Sequence, residues 1–164
     1  MDVAGQATAK LDGTGRLTLP KRFLETDEIG PDGRPKRLEV LWVTPGLDGC
    51  LWLLDQVEYR RILRRMRITE IGDPRQRQTQ RKFLKYCEKV RPDRQGRISL
   101  TEGQSGLAGL EPQGRVLVLG AGRRLELWNP ERYEAFDEAV FASDEGKDWT
   151  DHLEAVLRRG EEGA

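Results

Sequence analysis

The chain reads as an α+β protein with a mainly β core built from two related units. Three features lead there: a glycine turn that occurs twice, alternating apolar residues after each copy, and marked helix starts after the strands that follow. The turn "LDGTGRLTLP" at 11–20 aligns with "PDRQGRISLT" at 92–101, an offset of 81 residues. Asp12 meets Asp93, Gly15 meets Gly96, Arg16 meets Arg97, and Leu17 and Leu19 meet Ile98 and Leu100. The period-two spacing of these apolar residues predicts a half-buried strand leaving each turn.

A second alignment, "GLDGCLWLLDQVEYRRIL" at 46–63 with "GAGRRLELWNPERYEAFD" at 120–137, has an offset of 74. The difference, 81 less 74, is seven residues and asks for one insertion in the first copy. The stretch "DEIGPDGRPK" at 27–36, rich in proline, glycine and charge, reads as that insertion and as an exposed loop. Two more strands are expected in each copy, "RLEVLWV" and "CLWLL" in the first, "RVLVL" and "LELW" in the second. A helix closes each copy. Asp55 with Glu58 fits a capping box, and Asn129 before Pro130 fits an N-cap ahead of a first-turn proline. Tyr133, Phe136 and Val140 then recur on one face. Between the copies, Asp73 and Pro74 mark another start, with Phe83, Leu84, Cys87 and Val90 as an apolar stripe; Trp149, Leu153, Val156 and Leu157 form a further stripe. The organisation is therefore a first unit at 6–58, a basic helical connection at 59–87, a second unit at 88–131 and an acidic helical C-terminal segment at 132–164.

Charge is balanced in total, 28 basic against 28 acidic side chains, but not in position. Residues 60–97 hold 14 Lys or Arg against 4 Asp or Glu, whereas residues 131–164 hold 4 against 11. A neutral chain that separates its charges this way can present a basic face to an anion. The basic run "RRILRRMR" at 60–67 reads as a helix with Ile62, Leu63 and Met66 turned inward and arginines on the wet side.

Several function classes drop out. No apolar run approaches the roughly 20 residues that span a bilayer, and "MDVAGQATAK" lacks a signal-peptide layout, so the cytoplasm is the expected compartment. Cys50, Cys87 and His152 are the only cysteines and histidine, too few for a zinc set, and neither metal nor cofactor is expected. Cys87 reads as a small core residue and His152 as a solvated helix-surface side chain. With no nucleophile, base and oxyanion arrangement in view, neither an enzyme nor a small-molecule substrate is expected. "RVLVLGAGRRLELW" lacks the third glycine and the following helix that a dinucleotide-binding loop requires.

The Asp-x-x-Gly-Arg turn has its own chemistry. The carboxylate can accept hydrogen bonds from backbone N–H groups further along, glycine supplies a positive φ, and arginine can return to the carboxylate. Doubling the turn sets Arg16 and Arg97 at equivalent points, flanked by Lys10, Lys21 and Arg22 in one copy and by Arg91 and Arg94 in the other. Paired arginines suit bidentate hydrogen bonding to phosphates or to the O6/N7 edge of guanine.

With its doubled Asp-x-x-x-Arg motif, "GRLTLP" and "GRISL" after it, "VLVLG" followed by "LELW", and a basic helix between, the chain resembles the MraZ family of bacterial regulators, built from two SpoVT-AbrB type units. That resemblance implies a double-split β-barrel of swapped hairpins formed by the two tandem repeats as an intramolecular pseudo-dimer, with flanking helices and ring-shaped homo-oligomers. It implies a sequence-specific DNA-binding transcriptional regulator, usually a repressor, of the division and cell-wall gene cluster. Such a protein binds short direct repeats of promoter DNA upstream of its own operon and is associated with the nucleoid. Arg16 and Arg97 would face double-stranded DNA, Lys10, Lys21, Arg22 and Arg94 would contact phosphates, and Asp12, Gly15, Asp93 and Gly96 would shape the turns. The chain departs from the family pattern at Thr14, where lysine is usual, at Leu24, where arginine is usual, and at "TEGQSG" (101–106), which lacks a proline and an arginine and adds Glu102. A weakened second unit follows from the last of these departures, and with the acidic C-terminal segment it motivates the alternative of a non-catalytic oligomeric interaction or assembly module that kept the fold and lost specific DNA binding.

Overall fold

The computed structural model describes residues 1–67, 73–142 and 149–162. They fall into two compact units, residues 1–130 and 131–164. The first holds β1 (Gln6–Lys10), β2 (Arg16–Thr18), a 3-10 turn (Lys21–Phe23), β3 (Glu25–Ile29), β4 (Pro35–Arg37), β5 (Leu41–Pro45) and β6 (Leu51–Leu54). Helices α1 (Gln56–Arg67) and α2 (Pro74–Lys85) follow, then β7 (Glu88–Val90), β8 (Arg97–Ser99), α3 (Glu102–Leu107), β9 (Arg115–Gly120) and β10 (Arg124–Trp128). The second unit is helical, with α4 (Pro130–Phe141) and α5 (Trp149–Glu162).

The architecture is α+β with antiparallel sheets. A six-stranded sheet has the order β1-β9-β10-β6-β5-β7, β2 pairs with β8 in a separate ladder, and β3 pairs with β4. Strands of the two repeats therefore interleave. At the centre Leu125 faces Leu53 and Leu127 faces Leu51. Since Leu51 and Leu53 are equivalent to Leu125 and Leu127 in the repeat, that register maps onto itself when the copies are exchanged. The edges obey the same exchange, with Ala7↔Val118 and Ala9↔Val116 at one side and Glu88↔Val43 and Val90↔Leu41 at the other. The duplication is thus folded about a pseudo-two-fold axis.

Alternation decides which face is buried. Leu41, Val43, Leu51, Leu53, Val116, Val118, Leu125 and Leu127 point to one side, where Leu17, Leu19, Ile98 and Leu100 from the β2–β8 ladder join them in one core. Each such side chain stabilises by about 1.5–3 kcal/mol when fully buried. Because both repeats supply every layer, neither copy holds a core of its own. On α1, Tyr59 stacks on Trp42 with centroids 3.8 Å apart and planes 9° from parallel.

The structure corrects several expectations. The insertion at 27–36 is not a plain loop: most of it lies in the β3–β4 hairpin, whose turn is closed by Gly30 N–H on the Arg34 carbonyl (2.7 Å) and by a positive φ at Gly33. Strands β1 and β7 escape the sequence reading because "QATAK" alternates only through alanines and "EKV" is too short to show a period. Val90 therefore belongs to β7 rather than to a helical stripe with Phe83 and Leu84. Helix α2 ends at Lys85, buries no side chain and leaves Leu84 exposed. The strand expected from Arg37 begins only at Leu41. Asp55 accepts the Glu58 N–H at 2.8 Å, but the Glu58 carboxylate turns to Arg61 (3.4 Å) instead of closing a capping box. Asn129 donates from Nδ2 to the Gly109 carbonyl at 2.8 Å, a bond compatible with the expected N-cap. Ile62, Leu63 and Met66 are half-buried, whereas Val140 and the α5 residues Trp149, Leu153, Val156 and Leu157 are exposed.

The segment "TEGQSG" forms α3, with a complete capping box. Gln104 N–H donates to Thr101 Oγ1 (3.2 Å) and Thr101 N–H donates to Gln104 Oε1 (3.0 Å). Gln104 is fully buried and its Nε2 donates to the Tyr86 carbonyl at 2.8 Å. The repeat puts Phe23 at the equivalent place in the first copy, also buried. A buried amide is tolerated in place of that ring because its oxygen and its nitrogen both find partners.

Candidate nucleic-acid interface

The two glycine turns meet across the β2–β8 ladder. Its register pairs Arg16 with Ser99, Leu17 with Ile98 and Thr18 with Arg97, again unchanged by exchanging the repeats. The ladder continues into the turns, with Leu19 N–H on the Gly96 carbonyl (2.9 Å) and Leu100 N–H on the Gly15 carbonyl (2.8 Å). Each glycine is required twice over. Gly15 and Gly96 have φ of 79° and 85°, and a Cβ on either would stand 2.9 Å from the Leu100 carbonyl oxygen or 2.6 Å from that of Leu19.

The aspartates hold the turns from inside. Asp12 Oδ1 accepts from Thr14 N–H (2.8 Å), the Thr14 hydroxyl (2.8 Å) and Arg16 N–H (2.9 Å). Asp93 Oδ1 accepts from Gln95 N–H and Arg97 N–H, both at 2.9 Å, and its Oδ2 takes Arg97 Nε at 2.7 Å. The bond from Arg16 N–H and then that from the Thr14 hydroxyl hold the Asp12 carboxyl below the usual carboxylate range. The Arg97 N–H and then its side chain do the same for Asp93. A carboxyl whose folded pKa is depressed adds stability above its unfolded value, about 3.9, and loses it as pH falls through the lower folded value. Urea midpoints should therefore drop below about pH 4, and Asp12→Asn with Asp93→Asn should flatten that drop. An identical acid limb in the double variant would remove these turns as its source.

With Leu17 and Ile98 turned inward, the residues between them face water. Arg16 and Arg97 are exposed and line one cleft of about 370 Å³ with Val90, Arg91, Asp93, Ile98 and Ser99. Three guanidinium groups and one carboxylate, already engaged by Arg97, make this an anion-seeking hollow. Hydroxyls and arginines together can donate to phosphate oxygens, and an arginine fork fits a guanine edge.

The remaining basic candidates do not line this cleft. Lys10 ends β1 directly opposite Arg115, both exposed, a like-charge pair that repels unless an anion lies between. Lys21 is exposed on the 3-10 turn, while the Arg22 guanidinium donates to the Gln6 carbonyl and sits 4.9 Å above the Phe23 ring. Arg22 is thereby partly committed to the fold. Arg94 is exposed and its carbonyl accepts from Arg37 Nη1 at 2.9 Å. Sequence reasoning did not single out Arg37 or Arg115. Arg37, expected only as the first residue of a strand, ends β4 instead, and Arg115 opens a strand where charge carries no signal. Elsewhere, burial pushes the Cys50 and Cys87 thiols up to about 12, so neither is a thiolate at neutral pH. No helix among the described residues is long and apolar enough to cross a membrane.

Residues 3–82 match the family model "MraZ protein, putative antitoxin-like". A protein of Kineococcus radiotolerans named Transcriptional regulator MraZ is 35% identical over 136 residues, which cover 83% of this chain and 87% of the relative. The chain belongs to the MraZ family. Proteins of the same name from Saccharopolyspora erythraea and Deinococcus radiodurans are 35% and 33% identical, over 77% and 84% of this chain and 80% and 89% of theirs. The family model ends inside α2, before the second turn, whereas the relatives continue well beyond it. In this MraZ chain Thr14, standing where lysine is usual in the first motif, supplies the hydroxyl that caps Asp12. Leu24, at the other departure, is fully buried and fills core space.

Proposed function

We propose that this chain is a non-catalytic, DNA-binding transcriptional regulator whose paired turns touch double-stranded DNA. One observation carries the reading: Arg16 and Arg97, equivalent residues of the two repeats, line a single cleft on the outer face of one two-stranded ladder. The relatives named as transcriptional regulators support it. Arg16 and Arg97 hydrogen-bond base edges or phosphates, while Lys10, Lys21, Arg22 and Arg94 contact phosphates and set orientation. Asp12, Gly15, Asp93 and Gly96 keep the turns in shape.

The finer reading follows from the family. The sheet and ladder correspond to a double-split β-barrel of swapped hairpins, which the interleaved strand order supports. Chains assemble as ring-shaped homo-oligomers at the nucleoid, repressing the division and cell-wall gene cluster from short direct repeats upstream of its operon. A ring repeats a modest basic cleft, and linked contacts to evenly spaced boxes gain avidity that one cleft lacks.

A labelled duplex from the DNA upstream of the gene, compared by fluorescence anisotropy with a scrambled duplex, tests this. Specific binding that weakens with salt, by a log-log slope of about 0.9 per neutralised phosphate, is expected. Equal binding of both duplexes at every salt concentration would favour the other reading, a protein-interaction or assembly module. That reading has its own observation: Trp149, Leu153, Val156 and Leu157 stand exposed along α5 in an acidic segment. Exposed apolar stripes of this kind mark association surfaces.

A further inference from the structure

The inserted hairpin carries an arginine that has no counterpart in the other repeat. Arg37, last residue of β4, reaches the second turn, donating from Nη1 to the Arg94 carbonyl (2.9 Å) and from Nη2 to the Asp93 carbonyl (2.8 Å). Its Nη2 also lies 3.5 Å from the point a Cβ on Gly96 would occupy. One planar fork on two consecutive carbonyls fixes the peptide between them, because the two nitrogens share a plane and little freedom is lost per bond. The Asp93 carboxylate in turn binds the Gln95 and Arg97 N–H groups and the Arg97 Nε. Arg97 thus rises from a turn held both at its carbonyls and at its N–H groups.

At the first turn Asp12 likewise holds the Thr14 and Arg16 N–H groups, but among the described residues no side chain hydrogen-bonds to the Asp12 or Gly13 carbonyl, although Gln113 Nε2 lies 3.0 Å from the point a Cβ on Gly13 would occupy. Ala7↔Val118 and Ala9↔Val116 answer to Glu88↔Val43 and Val90↔Leu41, which sets β9 against β5 at an offset of 75 and position 37 against Pro112. Pro112 lines the hollow beside Gly13, Thr14 and Gly15, but its ring carries no donor. Asp12 is capped by the Thr14 hydroxyl, and among the described residues no salt bridge ties Arg16 to it.

We infer that Arg37 is a positioning residue that acts through Arg97, making Arg97 the pre-organised arm of the interface and leaving Arg16 the adaptable one. The inference rests on the DNA-binding reading. Pre-organisation removes the ordering cost that a loose arm meets on binding, so loss of the fork weakens binding without removing a contact to DNA.

The test combines Arg37→Ala and Arg37→Lys with Arg97→Ala and Arg16→Ala backgrounds. It uses anisotropy on the upstream duplex and amide hydrogen exchange over residues 92–98 and 11–17. Arg37→Ala should weaken binding about tenfold, the scale of one hydrogen bond from a charged group. Exchange should speed up over 92–98 and not over 11–17. The loss should vanish in the Arg97→Ala background and persist with Arg16→Ala, the signature of coupled and uncoupled sites. Arg37→Lys keeps the charge but not the fork, so it should exchange as the alanine variant does; should Arg37→Ala not fold, Arg37→Lys carries the comparison alone. An equal loss in both backgrounds, or faster exchange throughout the core, would overturn the inference. If neither Arg16→Ala nor Arg97→Ala changes DNA binding, the placement of DNA on this ladder has failed, and the inference with it. Exchange over 92–98 then still reports whether Arg37 holds the turn.

Discussion

Gly96→Ala should unfold at a clearly lower urea concentration than the parent protein, with Gly15→Ala falling between them. Two costs add at Gly96. Its φ of 85° is left-handed, which costs an alanine about 1–2 kcal/mol. The new Cβ would stand 2.6 Å from the Leu19 carbonyl oxygen and 3.2 Å from Leu24 Cδ1. Relief requires β2 and β8 to separate at the bond by which Leu19 N–H reaches the Gly96 carbonyl, and a net hydrogen bond is about 1 kcal/mol. Together the loss is about 2–3 kcal/mol. At Gly15 the nearest atom is the Leu100 carbonyl oxygen, at 2.9 Å, so a smaller shift suffices. Midpoints should fall with an unchanged m-value. A Gly96→Ala protein as stable as the parent would mean that the turns do not meet across the ladder as described.

Much of this was legible in the sequence, for one physical reason. A duplicated chain that folds about a two-fold axis must place equivalent residues in symmetric registers, so the alignment of Arg16 with Arg97 and Leu51 with Leu125 ties each pairing to its mate without saying which residues pair. Strongly alternating strands such as "CLWLL" and "RVLVL" were equally plain. Strands β1 and β7 were not, since alanines and a three-residue segment give no contrast of hydrophobicity. Likewise, α3 begins at a polar Thr-Glu-Gly whose helical character depends on Gln104 finding both Thr101 and Tyr86, one of them eighteen residues away. Of the interface, the arginines and the turn-shaping aspartates could be picked out by pattern. Arg37 could not, because its partners are carbonyl groups, and backbone carbonyls are the same in every sequence.

Arg16→Ala with Arg97→Ala should abolish the preference for upstream over scrambled DNA while leaving the core intact, since both side chains are exposed and the one bond lost, Arg97 Nε to Asp93, lies in the surface turn. A bidentate arginine on guanine discriminates by about 1–3 kcal/mol, so each single variant should narrow the preference roughly tenfold or more. The salt slope tells which groups they touch. If both arginines meet bases, the slope stays near that of the parent while the preference collapses. If both meet phosphates, each variant lowers the slope by about one unit and weakens specific and scrambled duplexes alike. The two positions should also differ under lysine. Arg97 already gives Nε to Asp93, so Arg97→Lys disturbs the turn as well as the contact, whereas Arg16→Lys changes only what the cleft offers to DNA. Arg16→Lys should therefore retain phosphate-type binding and its salt slope but lose base preference. Retention of full preference by the Arg16, Arg97 double alanine would move the DNA contact away from the ladder, towards Lys10 and Arg115 at the β1–β9 end.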